Sequence, residues 1–152
     1  MTNVETLHFK IGLAGTYWEK RPAYSILVND AVVVSGQVEA ASEELFYVEF
    51  DTELPEGPAT LKIRLENKED SDILKDSYDD PDNFNIIGDL LLNIKTVEID
   101  EINLGNLLYD KSKFVGDDPS RPVLDKCHDL GWNGTWIFPF ESPFYIWLLE
   151  NI

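Results

Sequence analysis

The segment Leu7-His8-Phe9-Lys10-Ile11-Gly12-Leu13 decides the fold class of this chain. Apolar residues occupy its odd-numbered positions, while polar residues or glycine occupy the even-numbered positions. This two-residue period is typical of a β-strand that buries one face and exposes the other. The segment therefore predicts a half-buried strand close to the N-terminus.

The same period recurs further along the chain. Residues 24–34 contain two β-branched runs on either side of Asn29-Asp30, which predicts a β-hairpin. Residues 45–51 and 60–65 alternate again, and Pro55-Glu56-Gly57-Pro58 between them predicts a turn. The first half of the chain is therefore expected to be a series of antiparallel strands.

The second half of the chain is less regular. Residues 85–108 are rich in Ile, Leu and Val with glycine breaks, which favours two or three strands over a helix. Residues 116–131 are polar and contain two prolines, so we predict a long connection. Pro139 cannot donate to a sheet ladder, which places its strand at an edge or a bulge. The apolar run 144–149 is either a doubly buried strand or a surface that contacts a partner.

Length and pattern together predict one all-β domain. A chain of 152 residues can bury about two-thirds of its unfolded surface in one core. Its 43% hydrophobic and 12% aromatic residues argue against disorder. Because short strands alternate with turns and no long helical period is present, we predict a single antiparallel β-sandwich or jelly roll over residues 1–152.

The charge balance argues against a nucleic-acid partner, and the hydropathy pattern argues against a membrane span. With 29 acidic and 12 basic residues the formal net charge is −17, so we expect no nucleic-acid partner, because a phosphate backbone would be repelled. No apolar stretch approaches the roughly 20 residues of a membrane span, and residues 1–5 lack the pattern of a signal peptide. We therefore expect a soluble chain without a membrane partner. A lone Cys127 cannot form an intramolecular disulfide.

Oxygen-bearing side chains concentrate between residues 66 and 83. Ca²⁺ takes about six to eight oxygen ligands, so this stretch is a candidate calcium site, although a solvated acidic loop is the more common interpretation of such a charge run. The second acidic stretch, 116–121, is more typical of a turn. The predicted metal ligands are Asp79, Asp80, Asp82, Asn67, Asp70 and Asp72.

Four aromatic residues lie in or beside predicted loops and are candidates for contact with a ligand or partner. Exposed rings stack on sugars and anchor protein interfaces, whereas the alternative for each ring is core packing. These candidates are Tyr17, Trp18, Tyr78 and Trp132.

Signatures of catalysis are missing from the sequence. His8 and His128 are the only histidines, and His128 directly follows Cys127. Adjacent residues of an extended chain point to opposite sides, so this pair is poorly placed to act as nucleophile and base. The sequence contains no phosphate loop, dinucleotide fingerprint or zinc spacing. We therefore predict that the chain is not an enzyme.

The succession of residues 23–30, 60–67 and 83–86, with an acidic loop before the last, resembles calcium-dependent xylan-binding modules. This resemblance implies a β-sandwich in which loop carboxylates hold Ca²⁺ and the ion coordinates sugar hydroxyls. Two positions depart from the family pattern, since Glu66-Asn67 replaces an Asn-Asp pair and Asp82-Asn83-Phe84 replaces Arg-Asn-Leu. The resemblance makes the first ligand candidates Asp79, Asp80 and Asp82.

The C-terminal part has a different resemblance. Trp132-Asn133-Gly134 and the stretch 142–150 resemble small virion proteins of marine tailed phages. This implies a virion component, either a capsid decoration or a tail appendage, that binds other virion proteins or itself. Together the resemblances predict a non-catalytic binding or structural module in a virion. The alternative is a calcium-dependent glycan-binding protein outside a virion, either cytoplasmic or extracellular, with a polysaccharide partner.

Overall fold

A computed structural model describes residues 3–152 and consists mainly of antiparallel strands. Two helices, α1 (Asn106–Asp110) and α2 (Phe144–Asn151), and a 3-10 turn at Asp70–Asp72 complete it. The strands in chain order are β1 (Val4–Thr16), β2 (Ala23–Val28), β3 (Ala31–Gln37), β4 (Phe46–Pro55), β5 (Gly57–Leu65), β6 (Leu74–Lys75), β7 (Ile86–Gly88), β8 (Leu91–Ile99), β9 (Ile102–Asn103), β10 (Lys113–Gly116), β11 (Leu124–Asp125), β12 (Asp129–Leu130) and β13 (Gly134–Ser142).

Two sheets form the domain, as the alternating pattern predicted. One has the order β12-β8-β1-β4, with β9 also paired to β8. The other has the order β11-β10-β13-β5-β2-β3, while β6 and β7 form a small separate ribbon. The pairs are antiparallel, and the apolar faces of the two sheets share one core. The prediction of an all-β antiparallel sandwich is confirmed.

Strand β1 shows why the period identifies the fold. Leu7, Phe9, Ile11 and Leu13 are buried, as the alternation requires. The ring of Phe9 lies 6.3 Å from that of Phe140, which belongs to the opposite sheet. Burying one such aromatic side chain contributes about 1.5–3 kcal/mol, so this face fixes the register of the strand.

The predicted turns of the first half are also present. Asn29 and Asp30 adopt φ values of 50° and 67° between β2 and β3, as a two-residue hairpin turn of the primed type requires. Asn and Asp tolerate this left-handed conformation better than most residues. Gly57, the first residue of β5, has a φ of 125°, a conformation that glycine alone adopts readily.

Between residues 85 and 131 the structure departs from prediction in two places. Strands β7, β8 and β9 cover most of residues 85–108, but the chain is helical in α1 from Asn106 onward. The long connection at 116–131 contains the two short strands β11 and β12. Each of them pairs over only two residues, so neither has a run long enough to show alternation.

Strand β13 lies inside the six-stranded sheet, so the edge position predicted from Pro139 is wrong. It pairs with β5 along its whole length, from Gly134 to Ser142. On its other side β10 pairs only as far as Ile137. At Pro139 one neighbour is therefore absent, and the missing N–H of proline costs no ladder bond there.

The apolar run 144–149 is not a strand but the start of α2. Phe144, Trp147 and Leu148 share one buried face, because residues three and four apart lie on the same side of a helix. Trp147 packs against Phe138 and Phe140 with ring centroids 5.9 and 6.3 Å away. Over residues 3–152, neither helix combines the length and the hydropathy of a membrane span.

Candidate functional site

A cleft opens where three strands of the six-stranded sheet end. Gly134, at the start of β13, pairs with Leu65 at the end of β5 and with Gly116 at the end of β10. The segments that extend beyond these ends enclose about 250 Å³. Side chains from 68–73, 117–121 and 131–133 line this space, which we call the Trp132 cleft.

Asn133 joins two walls of the cleft. Its Nδ2 donates to the carbonyl oxygen of Lys68 at 2.9 Å, and its Oδ1 accepts from the Lys68 N–H at 2.8 Å. The backbone carbonyl of Asn133 also accepts from the Asp117 N–H at 2.9 Å. Asn133 therefore connects its own segment to residues 68–73 and to residues 117–121 by hydrogen bonds with backbone groups. These bonds hold the walls of the cleft in place without a ligand.

Trp132 packs against Gly116, and a second glycine, Gly134, lets strands β10 and β13 approach closely. A Cβ at Gly116 would come within 2.5 Å of the Trp132 Nε1, and a Cβ at Gly134 would meet the Val115 carbonyl oxygen at 2.5 Å. Only residues without a side chain let the indole and the two strands approach this closely. Phe114 packs against the indole, with ring centroids 5.7 Å apart.

Two further features describe the surroundings of the indole. The Arg121 guanidinium lies 4.4 Å from the centre of its ring, within the range of a cation–π interaction. Its Nε1 is buried without a hydrogen-bond acceptor among residues 3–152. Leaving such a donor unpaired costs about 1–3 kcal/mol. Because this N–H lies against Gly116 and is closed to solvent, the ring and not the N–H is what the cleft presents to a ligand.

The cleft carries more negative than positive side chains. Two of its charges are already paired, since Asp117 accepts from Arg64 Nη2 at 2.9 Å and Lys68 Nζ lies 2.7 Å from Asp89. The N–H and hydroxyl of Ser120 donate to Asp118 and, with the nearby Arg121 charge, lower the pKa of that carboxyl. Asp118 is therefore an ionised hydrogen-bond acceptor at neutral pH.

Two of the predicted metal ligands have protein partners instead. The Asn67 Oδ1 accepts from the Ala23 N–H at 2.8 Å, and its Nδ2 donates to the Arg21 carbonyl at 2.9 Å. Asp72 is nearly buried, accepts from the Glu69 N–H and lies 2.6 Å from Lys20 Nζ. The Asn67 oxygen bonds to strand β2, and an Asp72 oxygen bonds to the residue that precedes the 3-10 turn. Because these oxygens already have protein partners, the two residues do not fit a calcium site.

The other predicted ligands lie in two different places. Asp70 lines the Trp132 cleft, whereas Asp79, Asp80 and Asp82 lie in an exposed loop. Residues Asp76 and Asn85 close this loop with three hydrogen bonds of 2.7–2.9 Å. The bonds from Asn85 lower the pKa of the Asp76 carboxyl. Over residues 3–152 no three His, Cys, Asp or Glu side chains are grouped closely enough to form a ready metal site.

The predicted aromatic residues do not form one surface. Only Trp132 lines the cleft. Trp18 is 45% exposed, but its indole donates to the Asp72 carbonyl at 2.9 Å. The Tyr17 hydroxyl donates to the Ala40 carbonyl at 2.8 Å. Tyr78, which is 69% exposed, accepts from the Lys75 N–H at 3.1 Å in the acidic loop.

Cys127, beside His128, has the surroundings of a structural cysteine and not those of a reactive one. The Cys127 Sγ donates to the Asp129 carbonyl at 3.2 Å, and burial raises the pKa of this thiol. His128 instead has its Nδ1 3.5 Å from the Asp129 carboxylate. Because the reactive form of cysteine is the thiolate, a raised pKa works against a nucleophilic role.

Comparisons with known proteins give a likeness of fold. No family model matches the chain, and no curated protein matches it. A structure of the selenomethionine form of vCBM60, described with two families of calcium-dependent carbohydrate-binding modules linked by circular permutation, is similar with a TM-score of 0.56 and 10% identity. This match covers 87% of this chain and 89% of that one. vCBM60 in complex with galactobiose is similar with a TM-score of 0.52 and 9% identity, over 86% and 96% of the two chains. The chain therefore has the β-sandwich fold of a calcium-dependent carbohydrate-binding module.

Proposed function

We propose that this protein is a non-catalytic glycan-binding module and that its ligand binds in the Trp132 cleft. The observation that carries the proposal is Trp132 itself, a half-buried indole that lines a polar cleft. The similar fold of vCBM60, which is known in complex with galactobiose, supports a sugar as the ligand. The absence of a recognisable catalytic constellation in the sequence is consistent with a binding role.

The residues around the indole suit a polyhydroxylated ligand. A sugar presents both apolar C–H groups, which pack on an aromatic side chain, and hydroxyls, which donate and accept hydrogen bonds. The Arg121 guanidinium supplies donors, while Asp70 and Asp118 supply acceptors. The joined walls keep these groups in fixed positions, so little conformational entropy is lost on binding.

Isothermal titration with galactobiose and with xylo-oligosaccharides tests the proposal, after a glycan array has ranked the sugars. We expect saturable binding of at least one neutral oligosaccharide, with amide signals of residues 68–73 and 131–133 shifting in NMR spectra. Failure of every glycan on the array to bind, in the presence and absence of Ca²⁺, would contradict the proposed function.

We further propose that Asp79, Asp80 and Asp82 bind Ca²⁺. These three carboxylates are exposed within four consecutive residues, and at neutral pH they repel one another unless a cation screens them. Their loop is anchored at its base by the bonds between Asp76 and Asn85, which limits the entropy lost when the tip is ordered. A bound ion would contribute open coordination positions for hydroxyl oxygens.

A second candidate function is that of a virion structural module, and the exposed face of α2 favours it. Tyr145, Ile146 and Leu149 are 48%, 57% and 73% exposed on a helix whose other face is buried. An adjacent set of large apolar side chains on a surface is typical of a contact with another protein. In this hypothesis the helix binds a second copy or another virion protein.

Self-association through α2 is testable by size-exclusion chromatography with light scattering. We expect the protein to form a dimer or larger assembly as concentration rises, and Leu149→Lys to keep it monomeric because a buried charge at the contact is costly. Glu150→Lys, which changes charge on the same turn, is the matched control. A protein that stays monomeric at high concentration would contradict a self-assembling role.

A further inference from the structure

A second groove lies along the free edge of β8. One edge of β8 pairs with β1 along its length. The opposite edge pairs with β12 at one end and with β9 at the other, and it is free between them. The last bonds on each side are Ile94 N–H to the His128 carbonyl, at 2.8 Å, and Leu104 N–H to the Val97 carbonyl, at 3.0 Å. Between them the edge at Lys95 and Thr96 has no strand beside it, and the groove there encloses about 470 Å³.

A β-bulge places Lys95 at this gap. Thr96 is the partner of Gly12 in β1, but the next paired residues are Ile94 and Leu13, so Lys95 is the extra residue of β8. A bulge leaves its extra residue unpaired and re-aims the side chain. Lys95 is exposed, lines the groove and forms no salt bridge with the residues that the structure describes.

The groove combines an apolar floor with an exposed ring. Ile94 and Leu108 are buried beneath it, and Tyr109 is 43% exposed at its side. The imidazole of His128 packs near this ring, with centroids 5.3 Å apart. Such an apolar base with a few polar groups is typical of a small-molecule site, and the volume falls within the usual range of about 300–1,000 Å³.

The charge of the groove is opposite to that of the molecule. The chain carries 29 acidic residues among 152, yet none of the nine residues that line the groove is acidic. Lys95 is the cationic lining residue, while the Nδ1 of His128 lies 3.5 Å from the Asp129 carboxylate, which is outside the lining. Around them Thr96, Asn103 and Asn106 provide neutral hydrogen-bonding groups. The Asn103 Oδ1 accepts from the Gly105 N–H at 2.8 Å, which leaves its amide N–H groups to donate to a ligand.

We propose that this groove is a second glycan site and that it binds a uronic acid residue. The Tyr109 ring packs against the C–H face of the sugar, and the Lys95 ammonium pairs with the sugar carboxylate. The donors of Asn103 and Asn106 bind its hydroxyls. Elsewhere on this acidic surface a uronate is repelled, so the absence of carboxylates from the groove selects this position.

The second site is independent of the function proposed for the Trp132 cleft. No residue lines both spaces, and the groove belongs to the five-stranded sheet whereas the cleft lies at the end of the other sheet. Binding in one space can therefore be measured without binding in the other.

NMR titration with digalacturonate and with its methyl ester tests the inference, because the two ligands differ in charge and share one sugar skeleton. We expect digalacturonate to shift the amide signals of residues 94–96, 103–109 and 128, and to bind about two- to fivefold more tightly than the ester, as one partly exposed ion pair allows. Raising the salt concentration should reduce that difference.

Two variants separate the contribution of the Lys95 ion pair from that of the Tyr109 ring. Lys95→Gln should make the two ligands bind equally, and Tyr109→Leu should weaken both by about threefold or more while leaving the melting temperature of the protein nearly unchanged. Trp132→Ala is the matched control, since it alters the cleft and should leave digalacturonate binding unchanged. Equal binding of acid and ester by the unaltered protein, shifts confined to the cleft, or no binding of digalacturonate would each overturn the inference. Galactobiose binding in the same samples reports separately on the cleft.

Discussion

A Trp132→Ala variant is expected to bind galactobiose at least about tenfold more weakly than the unaltered protein, a loss of roughly 1.4 kcal/mol. The indole is the aromatic side chain that lines the cleft, and in the proposed function it offers the apolar surface on which a sugar ring packs. Aromatic side chains in partly buried pockets account for much of the free energy at binding sites. Isothermal titration of both proteins measures the difference.

Two further variants show whether the loss is specific. Trp132→Phe keeps a ring beside Arg121 but presents a smaller apolar surface, so its affinity should lie between those of the other two proteins. Tyr78→Ala removes a more exposed ring from a different loop and should leave galactobiose binding unchanged. Equal affinity of the Trp132→Ala variant and the unaltered protein would place the ligand elsewhere on the molecule.

Calcium at about 100 times its dissociation constant is expected to raise the free energy of unfolding by about 2.7 kcal/mol. For a chain of this size the corresponding rise in melting temperature is about 5–10 °C. The physical reason is that the ion binds the folded arrangement of Asp79, Asp80 and Asp82 and relieves their mutual repulsion. Calorimetry with and without Ca²⁺ measures the shift.

The exposed carboxylates of the loop and the buried carboxylate of Asp72 can be compared as predicted calcium ligands. A variant with Asp79, Asp80 and Asp82 all changed to Asn should lose the calcium shift while its melting temperature without calcium stays the same or rises. Asp72→Asn should keep the calcium shift but melt at a lower temperature, because it weakens the contact with Lys20. A melting temperature that does not respond to millimolar Ca²⁺ would exclude the metal from this protein.

The sequence predicts those strands that bury one face and expose the other. In β1 and β5 the alternation of apolar and polar residues reports directly on which side chains enter the core. The run at 144–149 has no polar residue to reveal a period, so a helix and a buried strand could not be distinguished. Pro139 was misleading for a different reason, since the extent of its neighbour β10 depends on the topology of the sheet.

The candidate site could be predicted only in part. Trp132 and Asp70 carry side chains whose chemistry suggests recognition wherever they lie. Arg121 and Asn133 were not among the predicted site residues, because their roles depend on the meeting of β5, β10 and β13, whose ends are far apart in the chain. Asn67 was predicted as a metal ligand because the sequence does not show that its amide bonds to backbone groups about 45 residues away.

Asn67 and Asn133, which bond to backbone groups, influence how the sequence of this surface can evolve. Asn67 and Asn133 fix the paths of the segments that carry the lining side chains, and they do so through main-chain groups that every substitution retains. Positions 70, 118 and 121 can therefore mutate without loss of the scaffold beneath them. Under the proposed function, descendants of this protein can exchange one sugar preference for another by a few point mutations, as long as both amides are conserved.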